Sequence, residues 1–463
     1  LNDGKGGGLG VDAIWMSPFF TSPMADFGYE VADYCDIDPI FGTMADAEAL
    51  IKAAHARGLK VMIDLVFNHS SDQHPWFVKS RRSRDNAKAD WYIWADPKPD
   101  GSVPNNWLSF FGGSAWTWDE TRQQYYYHTF LKEQPDLNWY QPQLRQALAD
   151  IVRFWMKKGV NGFRFDVVNF FAYDRQLRDN PRVPDDQWSV HGDFNPYDRF
   201  ETIYSKGVPE QWECVEFLRE VMDEGENITS VGEVGGIQSP EKLLEHAAEH
   251  VKYGKRLHMA YTFAMLTENA DLDYWLRIVE HTERVIGDGW PCWSLGNHDT
   301  VRLKTRFDCS GPRDGLQQTA LLFLLSLRGT PILYYGEEID MQEAVLSREQ
   351  IQDPFGVYFW PDFKGRDGCR TPFPWSDTAP NKGFNKGAAP WLPLGENRSL
   401  DLAAQESKGT LAVVREMIRL RGRHGALARS MLQVLLSSLP PPFVREPDYA
   451  SRPESERELG PSP

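Results

Sequence analysis

Four stretches of the sequence place an acid with a polar or basic neighbour at the end of a short apolar run. They are Asp64-Leu-Val-Phe-Asn68-His69, Gly-Phe-Arg164-Phe-Asp166, Gly-Glu233-Val and Gly-Asn-His298-Asp299. Charged residues at strand ends are poorly placed for a buried core. If the runs are parallel strands, their C-terminal ends meet, and the acids converge on one polar site.

Two carboxyl groups in opposite protonation states are what hydrolysis of a glycosidic bond requires. Arg164 stands two residues before Asp166, so on a strand both side chains share one face, and the guanidinium can keep Asp166 ionised. Asp166 is therefore predicted to be the nucleophile. Glu233 has no adjacent cation in sequence, which suits a protonated general acid. Asp299 is a third acid, able to favour a positively charged transition state.

Apolar strands and amphipathic helices alternate along most of the chain. The pattern predicts helices at 44–57, 142–158, 210–224 and 409–423, and strands at 11–18, 59–67, 160–168, 228–234, 257–263, 291–295 and 331–335. Such alternation indicates a parallel sheet covered on both faces. Seven strands favour an α/β fold of the TIM-type (β/α)8 barrel, formed by residues 1–69 and 140–428.

Two regions depart from this alternation. Residues 70–139 are rich in Trp, Tyr, Phe, Pro, Asp and Asn and are too long for a βα loop, so an inserted subdomain B over the barrel mouth is predicted after the third barrel strand. Residues 429–463 are rich in Pro, Ser, Glu and Arg, and we expect a rudimentary, disordered tail.

The composition limits the classes of partner and the cellular setting. The 463-residue chain has a net charge of −16, which disfavours nucleic acid or an anionic membrane as partner. Its five cysteines are scattered and include no Cys-x-x-Cys pair, so neither a disulfide framework nor a zinc site is indicated. A cytoplasmic setting is predicted. The sequence shows no signal peptide and no apolar run long enough to span a bilayer.

The four acidic segments resemble the signature regions of the α-amylase superfamily of glycoside hydrolases, family 13. Three further motifs resemble its α-glucosidase and oligo-1,6-glucosidase branch: Asp26-Phe27-Gly28-Tyr29, Gln134-Pro135-Asp136-Leu137-Asn138-Trp139 and Gly365-Arg366-Asp367-Gly368-Cys369-Arg370-Thr371-Pro372. The resemblance extends from about residue 9 to about residue 427. Several independent motifs in one order make it specific.

The resemblance implies roles for individual residues. Asp166 would be the nucleophile, Glu233 the general acid and base, and Asp299 the transition-state stabiliser. Substrate-binding roles would fall to His69, Arg164 and His298 in the glucose subsite, to Asp26 and Arg370 at its closed non-reducing end, to Tyr29 stacking on the ring, and to Phe111 and Phe130 as walls. Asp64 would be structural. Outside these motifs, such histidines and aromatic residues are more often core residues.

The implied enzyme is a retaining, exo-acting α-glucosidase that acts on a small oligosaccharide or glucoside, as a monomer or homodimer. Val167, after the nucleophile, is typical of α-1,6-acting members, so isomaltose-like substrates are favoured and maltose-like α-1,4 substrates stay possible. No cofactor is expected to be required. Asn2-Asp3-Gly4 offers too few ligands for the metal loop of the family.

The sequence also departs from the family. The first barrel strand and the C-terminal β domain are expected to be missing or rudimentary, and Glu30 stands where the family usually has Asp. Three alternatives stay open: a transglycosylase or sucrose-acting relative with the same acids, a non-catalytic transporter partner, and a chain that does not fold into active enzyme.

Overall fold

The computed structural model describes residues 1, 7–184, 193–236, 239–267, 269–307, 315–376, 378–394 and 402–429. Its strands are β1 Ala13–Met16, β2 Phe20–Thr21, β3 Asp33–Ile37, β4 Lys60–Leu65, β5 Trp94–Ala95, β6 Trp116–Asp119, β7 Gln124–Tyr127, β8 Gly162–Phe165, β9 Thr229–Val234, β10 Met259–Thr262, β11 Cys292–Ser294 and β12 Thr330–Ile332. Its α-helices are α1 Met44–His55, α2 Pro75–Ser80, α3 Pro142–Lys157, α4 Gln211–Met222, α5 Pro240–His250, α6 Leu272–Ile286, α7 Leu303–Phe307, α8 Leu316–Ser326, α9 Pro354–Phe359, α10 Leu402–Ser407, α11 Thr410–Arg423 and α12 Gly425–Arg429.

All seven predicted barrel strands are present and parallel. Five form one sheet in the order β1-β4-β8-β9-β10, and β11 pairs with β12. Trp15 and Tyr261 lie on the two edge strands of the five-stranded sheet, yet their ring centroids are only 6.2 Å apart. The sheet therefore curls strongly, as a barrel wall does. Within the described residues, no ladder joins β12 to β1.

Helix α3 shows how an apolar stripe packs a helix against this curved sheet. In α3 the stripe consists of Leu144, Leu148, Ile151, Val152 and Trp155, which are spaced three or four residues apart and are buried. The helix begins with Pro142 in its first turn, where the missing backbone N–H removes no helical bond. The indole of Trp155 donates to the carbonyl oxygen of Tyr34 over 2.8 Å, which fixes the helix beside β3.

The segment between β4 and α3 carries its own small core. It contains α2 and the antiparallel sheet β5-β7-β6, with Trp107, Trp116 and Tyr127 buried among its apolar residues. An isolated antiparallel bridge joins His69 to Asp136, so the end of the segment returns to the C-terminal end of β4. This return brings the Gln134–Trp139 motif beside the strand ends. The division of the chain at 70–139 stays a prediction.

Several predictions concern the two ends of the chain. The described residues ahead of Ala13 contain no strand, and Asn2-Asp3-Gly4 lies outside the described residues. Of the predicted tail at 429–463, only Arg429 is described, so the expected disorder and the fate of a C-terminal β domain stay untested. Over the part of the chain that the structure describes, no helix is both long and apolar enough to cross a membrane.

Candidate active site

The guanidinium of Arg164 is the centre of a cluster of buried carboxyl groups at the C-terminal ends of the barrel strands. Its Nη1 donates to both oxygens of Asp64 over 2.9 and 3.0 Å and to Asp166 Oδ1 over 2.5 Å. Its Nη2 donates to Glu233 Oε2, and to the Tyr261 hydroxyl over 3.1 Å. Arg164 itself has no exposed surface. The predicted placement of Arg164 and Asp166 on one face is confirmed.

Strand register explains why these groups meet. Asp64 on β4 stands opposite Arg164 on β8, and Glu233 on β9 stands opposite Tyr261 on β10. Side chains at paired positions of adjacent strands point to the same face, which here is the inside of the curved sheet. Asp166 directly follows β8, within hydrogen-bond distance of Arg164.

The chain turns sharply after Asp166. Val167 adopts a left-handed conformation with φ 38° and ψ 48°, an uncommon state for a β-branched residue. Its backbone N–H donates to Glu233 Oε2 over 3.4 Å. A 3-10 helix, Val168–Phe170, follows, and Asn169 Nδ2 donates to the carbonyl oxygen of Gly235 over 2.9 Å. The turn thus ties the segment after Asp166 to the segment after Glu233.

The surroundings of Glu233 raise the pKa of its carboxyl group. Burial raises its pKa well above the usual range, Arg164 lowers it, and the neighbouring Asp166, Asp299 and Asp64 raise it further. Glu233 has no cation adjacent to it in sequence, but in space Arg164 reaches it from the next strand. Desolvation and neighbouring negative charges, rather than the absence of a cation, therefore raise the pKa of Glu233.

Tyr29 and His298 form a bonded pair beside this cluster. The Tyr29 hydroxyl donates to Asp64 Oδ2 over 3.1 Å and lies 2.7 Å from His298 Nε2. The two rings are stacked, with centroids 5.4 Å apart. Burial lowers the pKa of His298 to about 3, so a neutral ring can donate through Nε2 to the Tyr29 oxygen. The stacking of Tyr29 on a sugar ring stays a prediction.

Asp299 lies between two arginines. Its Oδ1 accepts from Arg370 Nη2 over 2.9 Å and from Arg366 Nη1 over 3.2 Å. Burial acts to raise the pKa of Asp299, but the neighbouring His298, Arg366 and Arg370 outweigh burial and hold the pKa below its ordinary value. Asp299 is therefore ionised at neutral pH, and Arg370 contacts it directly.

Asp26 is linked to Asp299 through Arg366, which bonds both carboxylates. Its Oδ1 accepts from Arg366 Nη2 over 2.9 Å, and its Oδ2 accepts from Gln134 Nε2 over 3.2 Å. Burial raises the pKa of Asp26 to about 6 against the opposing charges of Arg366 and Arg370. The side chain of Glu30 accepts from the backbone N–H groups of Ala25 and Asp26, the latter over 2.9 Å. Glu30 thus fixes the loop that presents Asp26.

His69 is fixed in one tautomer. Its Nε2 lies 2.9 Å from the carbonyl oxygen of Tyr29 and donates to it, while its Nδ1 accepts from Asn68 Nδ2 over 3.3 Å. Burial lowers the pKa of His69 to about 4, so the ring is neutral at neutral pH. The edge of His69 faces Phe130, with ring centroids 5.3 Å apart.

The two predicted wall residues lie in a separate aromatic cluster. Phe111 and Phe130 are 5.7 Å apart and pack with Phe110 and Phe355. The Arg366 guanidinium carbon lies 5.1 Å from the ring centroid of Phe111. Phe130 therefore borders His69, whereas Phe111 supports Arg366.

Five residues of this site were not predicted from the sequence: Arg366, Asp353, Glu30 as a clamp, Gln134 and Tyr261. Arg366 is the most connected of them, since it also bonds both oxygens of Asp353 over 2.7 and 3.0 Å. Arg366 and Gln134 lie inside motifs recognised in the sequence, and this was the only sequence feature that pointed to them. No sequence feature pointed to Tyr261 or Asp353.

Among the described residues, no group of three or more His, Cys, Asp or Glu side chains is arranged to hold a metal ion. The buried carboxylates are bonded to arginines instead. The expectation that no cofactor is required stays a prediction.

Comparisons with known proteins agree with this geometry. The family model for the alpha amylase catalytic domain matches residues 7–430. The chain is 49% identical over 434 residues to a probable alpha-glucosidase of Rhizobium meliloti, covering 92% of this chain and 78% of that protein. It is 34% identical over 470 residues to the oligo-1,6-glucosidase of Parageobacillus thermoglucosidasius, covering 93% and 80%.

Solved structures give the same result. The crystal structure of the alpha-glucosyl transfer enzyme XgtA is 46% identical, with a TM-score of 0.87, covering 91% of this chain and 79% of that one. The trehalulose synthase MutB from Pseudomonas mesoacidophila is 33% identical, with a TM-score of 0.79, covering 92% and 78%. The chain belongs to the α-amylase family of glycoside hydrolases, family 13.

Proposed function

We propose that this chain is a retaining, exo-acting α-glucosidase that releases glucose from the non-reducing end of short α-glucosides. Asp166 acts as nucleophile, Glu233 as general acid and base, and Asp299 as transition-state stabiliser. The observation that carries the proposal is that Asp166 and Glu233 both accept from the one guanidinium of Arg164. Both carboxyl groups therefore face one point of the site, and a pair of carboxyl groups is what glycosidic hydrolysis requires.

The protonation states support the division of roles. Glu233 has a pKa raised well above the usual range by burial, so it carries the proton that the leaving oxygen needs. Asp299, whose pKa stays low despite burial because of His298, Arg366 and Arg370, is negative where positive charge develops on the sugar. After glucose binds covalently to Asp166, Glu233 accepts a proton from water in the second step.

The arrangement around Arg366 supports the exo mode. Asp26 and Asp299 both form ion pairs with this one guanidinium. The guanidinium thereby links the two side chains assigned to the terminal glucose and closes that end of the subsite. A closed non-reducing end accommodates one glucose unit. His69, Tyr29, Arg164, His298 and Arg370 complete the glucose subsite in this proposal, with Phe130 as a wall.

For linkage, we favour α-1,6 bonds, with α-1,4 bonds as the second choice. Val167 is a stiff, branched residue at the turn beside Glu233, and its shape can bias the entry of the leaving sugar. Glucosyl transfer is the second candidate function, because the chain is 46% identical to an alpha-glucosyl transfer enzyme. Hydrolysis and transfer share one covalent intermediate.

The test is glucose release from isomaltose and maltose in parallel, with Asp166→Asn as the blank. Release by the parent alone supports the proposed hydrolase, and a higher rate on isomaltose supports the role of Val167. New oligosaccharides in place of free glucose would favour transfer. No turnover of either sugar by folded protein would refute the proposal.

The cellular setting and assembly are also proposals. The four described cysteines, Cys35, Cys214, Cys292 and Cys369, are free, which suits a reducing cytoplasm. A monomer or a homodimer is expected.

A further inference from the structure

Lys206 is a buried lysine between the 3-10 helix Pro196–Arg199 and α4. Its side chain keeps only 6% of its surface exposed. The ammonium donates to the Tyr197 hydroxyl over 3.0 Å and lies 5.0 Å from the ring centroid of Phe170. Among the described residues it has no other hydrogen-bond acceptor and no ion pair, so two of its three N–H donors are unused.

A buried ammonium without a carboxylate is costly, because lysine is almost never buried unless it is paired. Burial lowers the pKa of Lys206 to about 8, against the opposing charge of Asp198, so the group is still mostly protonated at neutral pH. Its unused donors are therefore available to a ligand with oxygen acceptors.

The position of the ammonium relates it to the candidate site. Phe170 ends the 3-10 helix that follows Asp166, and its ring lies 5.9 Å from that of Phe130, which borders His69. On the other side, the ammonium lies directly against Gly236, three residues after Glu233. Lys206 is thus enclosed by the segments that follow both proposed catalytic carboxyl groups.

This placement is fixed by the backbone. The N–H of Gly207 donates to the carbonyl oxygen of Asn169 over 2.8 Å, and the side chain of Asn169 donates to the carbonyl oxygen of Gly235 over 2.9 Å. One asparagine therefore joins the lysine segment to the turns after β8 and β9. The backbone next to Lys206 is therefore hydrogen-bonded to the segments at the strand ends.

We infer that Lys206 binds hydroxyl groups of the leaving sugar and is the recognition residue of the aglycone side. The inference rests on the proposed function. Glu233 protonates the oxygen of the leaving group, so that group departs on the Glu233 side of the site. The opposite end is closed by Asp26, Arg366 and Asp299. The unpaired ammonium lies between the segments that follow Asp166 and Glu233, so we place the acceptor oxygens of the second sugar against it.

The test compares substrates with and without a leaving sugar. Maltose and isomaltose carry one, whereas the leaving group of α-glucosyl fluoride is a single atom. For Lys206→Met, the ratio of kcat/KM on each disaccharide to kcat/KM on the fluoride should fall about 10- to 100-fold, as expected for a lost charged hydrogen bond. Lys206→Gln, which is shorter and uncharged, should lower the same ratio and serves if the Met variant is unstable.

Two controls make the result decisive. Lys88→Met removes another lysine that lies over aromatic rings, Trp91 and Trp76, and it should leave the ratio unchanged. Tyr197→Phe removes the one hydrogen-bond acceptor that Lys206 has among the described residues. If Lys206 only supports Tyr197, this variant will reproduce the full effect, which overturns the inference. An equal loss on fluoride and disaccharides also overturns it. A parent inactive on all three substrates refutes the proposed function itself, and with it this role.

Discussion

Arg366 is the residue whose replacement tests the architecture of the site most sharply. Its guanidinium makes two bonds to Asp353, one to Asp26 and one to Asp299, over 2.7 to 3.2 Å. Arg366→Lys keeps the positive charge but replaces the planar fork with a single ammonium. One ammonium can stay with Asp353, the most buried partner, and then loses the bonds to Asp26 and Asp299.

The magnitude follows from those two lost bonds. Asp299 keeps Arg370, whereas Asp26 keeps only the weaker 3.2 Å bond from Gln134, so Asp26 suffers more. A hydrogen bond to a charged group contributes about 1.5–3 kcal/mol. Losing one at a substrate-binding carboxylate corresponds to a fall in kcat/KM of about 10- to 150-fold. The assay is kcat/KM on isomaltose and maltose, with thermal unfolding measured alongside.

Arg328→Lys is the matched control. Arg328 is as little exposed as Arg366, with 10% of its side-chain surface accessible against 12%, and forms a forked pair with Glu283 over 2.6 to 3.0 Å, but it lies outside the candidate site. Both variants should lose stability, and only Arg366→Lys should lose activity. If Arg366→Lys stays within threefold of the parent, or if the two variants lose activity equally, the guanidinium bridge does not position the site.

Three further predictions concern other parts of the site. Glu233→Gln should lower kcat/KM at least about 100-fold on maltose but far less on α-glucosyl fluoride, whose fluoride ion leaves without protonation. Equal losses of kcat/KM on the two substrates would contradict the acid role. Val167→Ala should raise the maltose-to-isomaltose ratio of kcat/KM, and an unchanged ratio would remove the linkage argument. Burial raises the pKa of Glu30 to about 7, so the folded protein binds a proton at Glu30 more tightly than the unfolded chain does. The contribution of Glu30 to the free energy of unfolding therefore falls as pH rises from about 4.5 to 7. Glu30→Gln should remove that pH dependence in denaturant titrations, while a slope equal to that of the parent would contradict it.

Much of the fold could be predicted because its elements follow local rules. Each barrel strand appeared as an apolar run, and the helix Pro142–Lys157 lies within one residue of the predicted 142–158. The paired strands are shorter than the runs, since Ala13–Met16 occupies only the middle of the predicted 11–18. Hydrogen bonding between strands depends on the neighbouring strand. The apolar pattern of one strand therefore does not specify the residue at which its pairing ends.

The acids of the site could be predicted because they lie at strand ends in recognisable motifs. Arg366 was missed because its role depends on contacts that local sequence does not encode: its bond to Asp26 joins residues 340 positions apart. The same limit applies to Glu233, whose neighbouring cation comes from a position 69 residues away. Sequence spacing indicates which side chains share a strand face, but register decides which strands bring charges together.

The position of Arg164 between Asp166 and Glu233 suits a reaction in which charge moves between these two groups. Before the first step of the proposed mechanism, Asp166 is negative and Glu233 is neutral. Forming the glucosyl ester neutralises Asp166, and proton transfer to the leaving oxygen makes Glu233 negative. Because the same guanidinium donates to both, it compensates one negative charge in either state without moving. Such a fixed donor needs no reorganisation during the step, which is the arrangement that lowers a barrier most effectively.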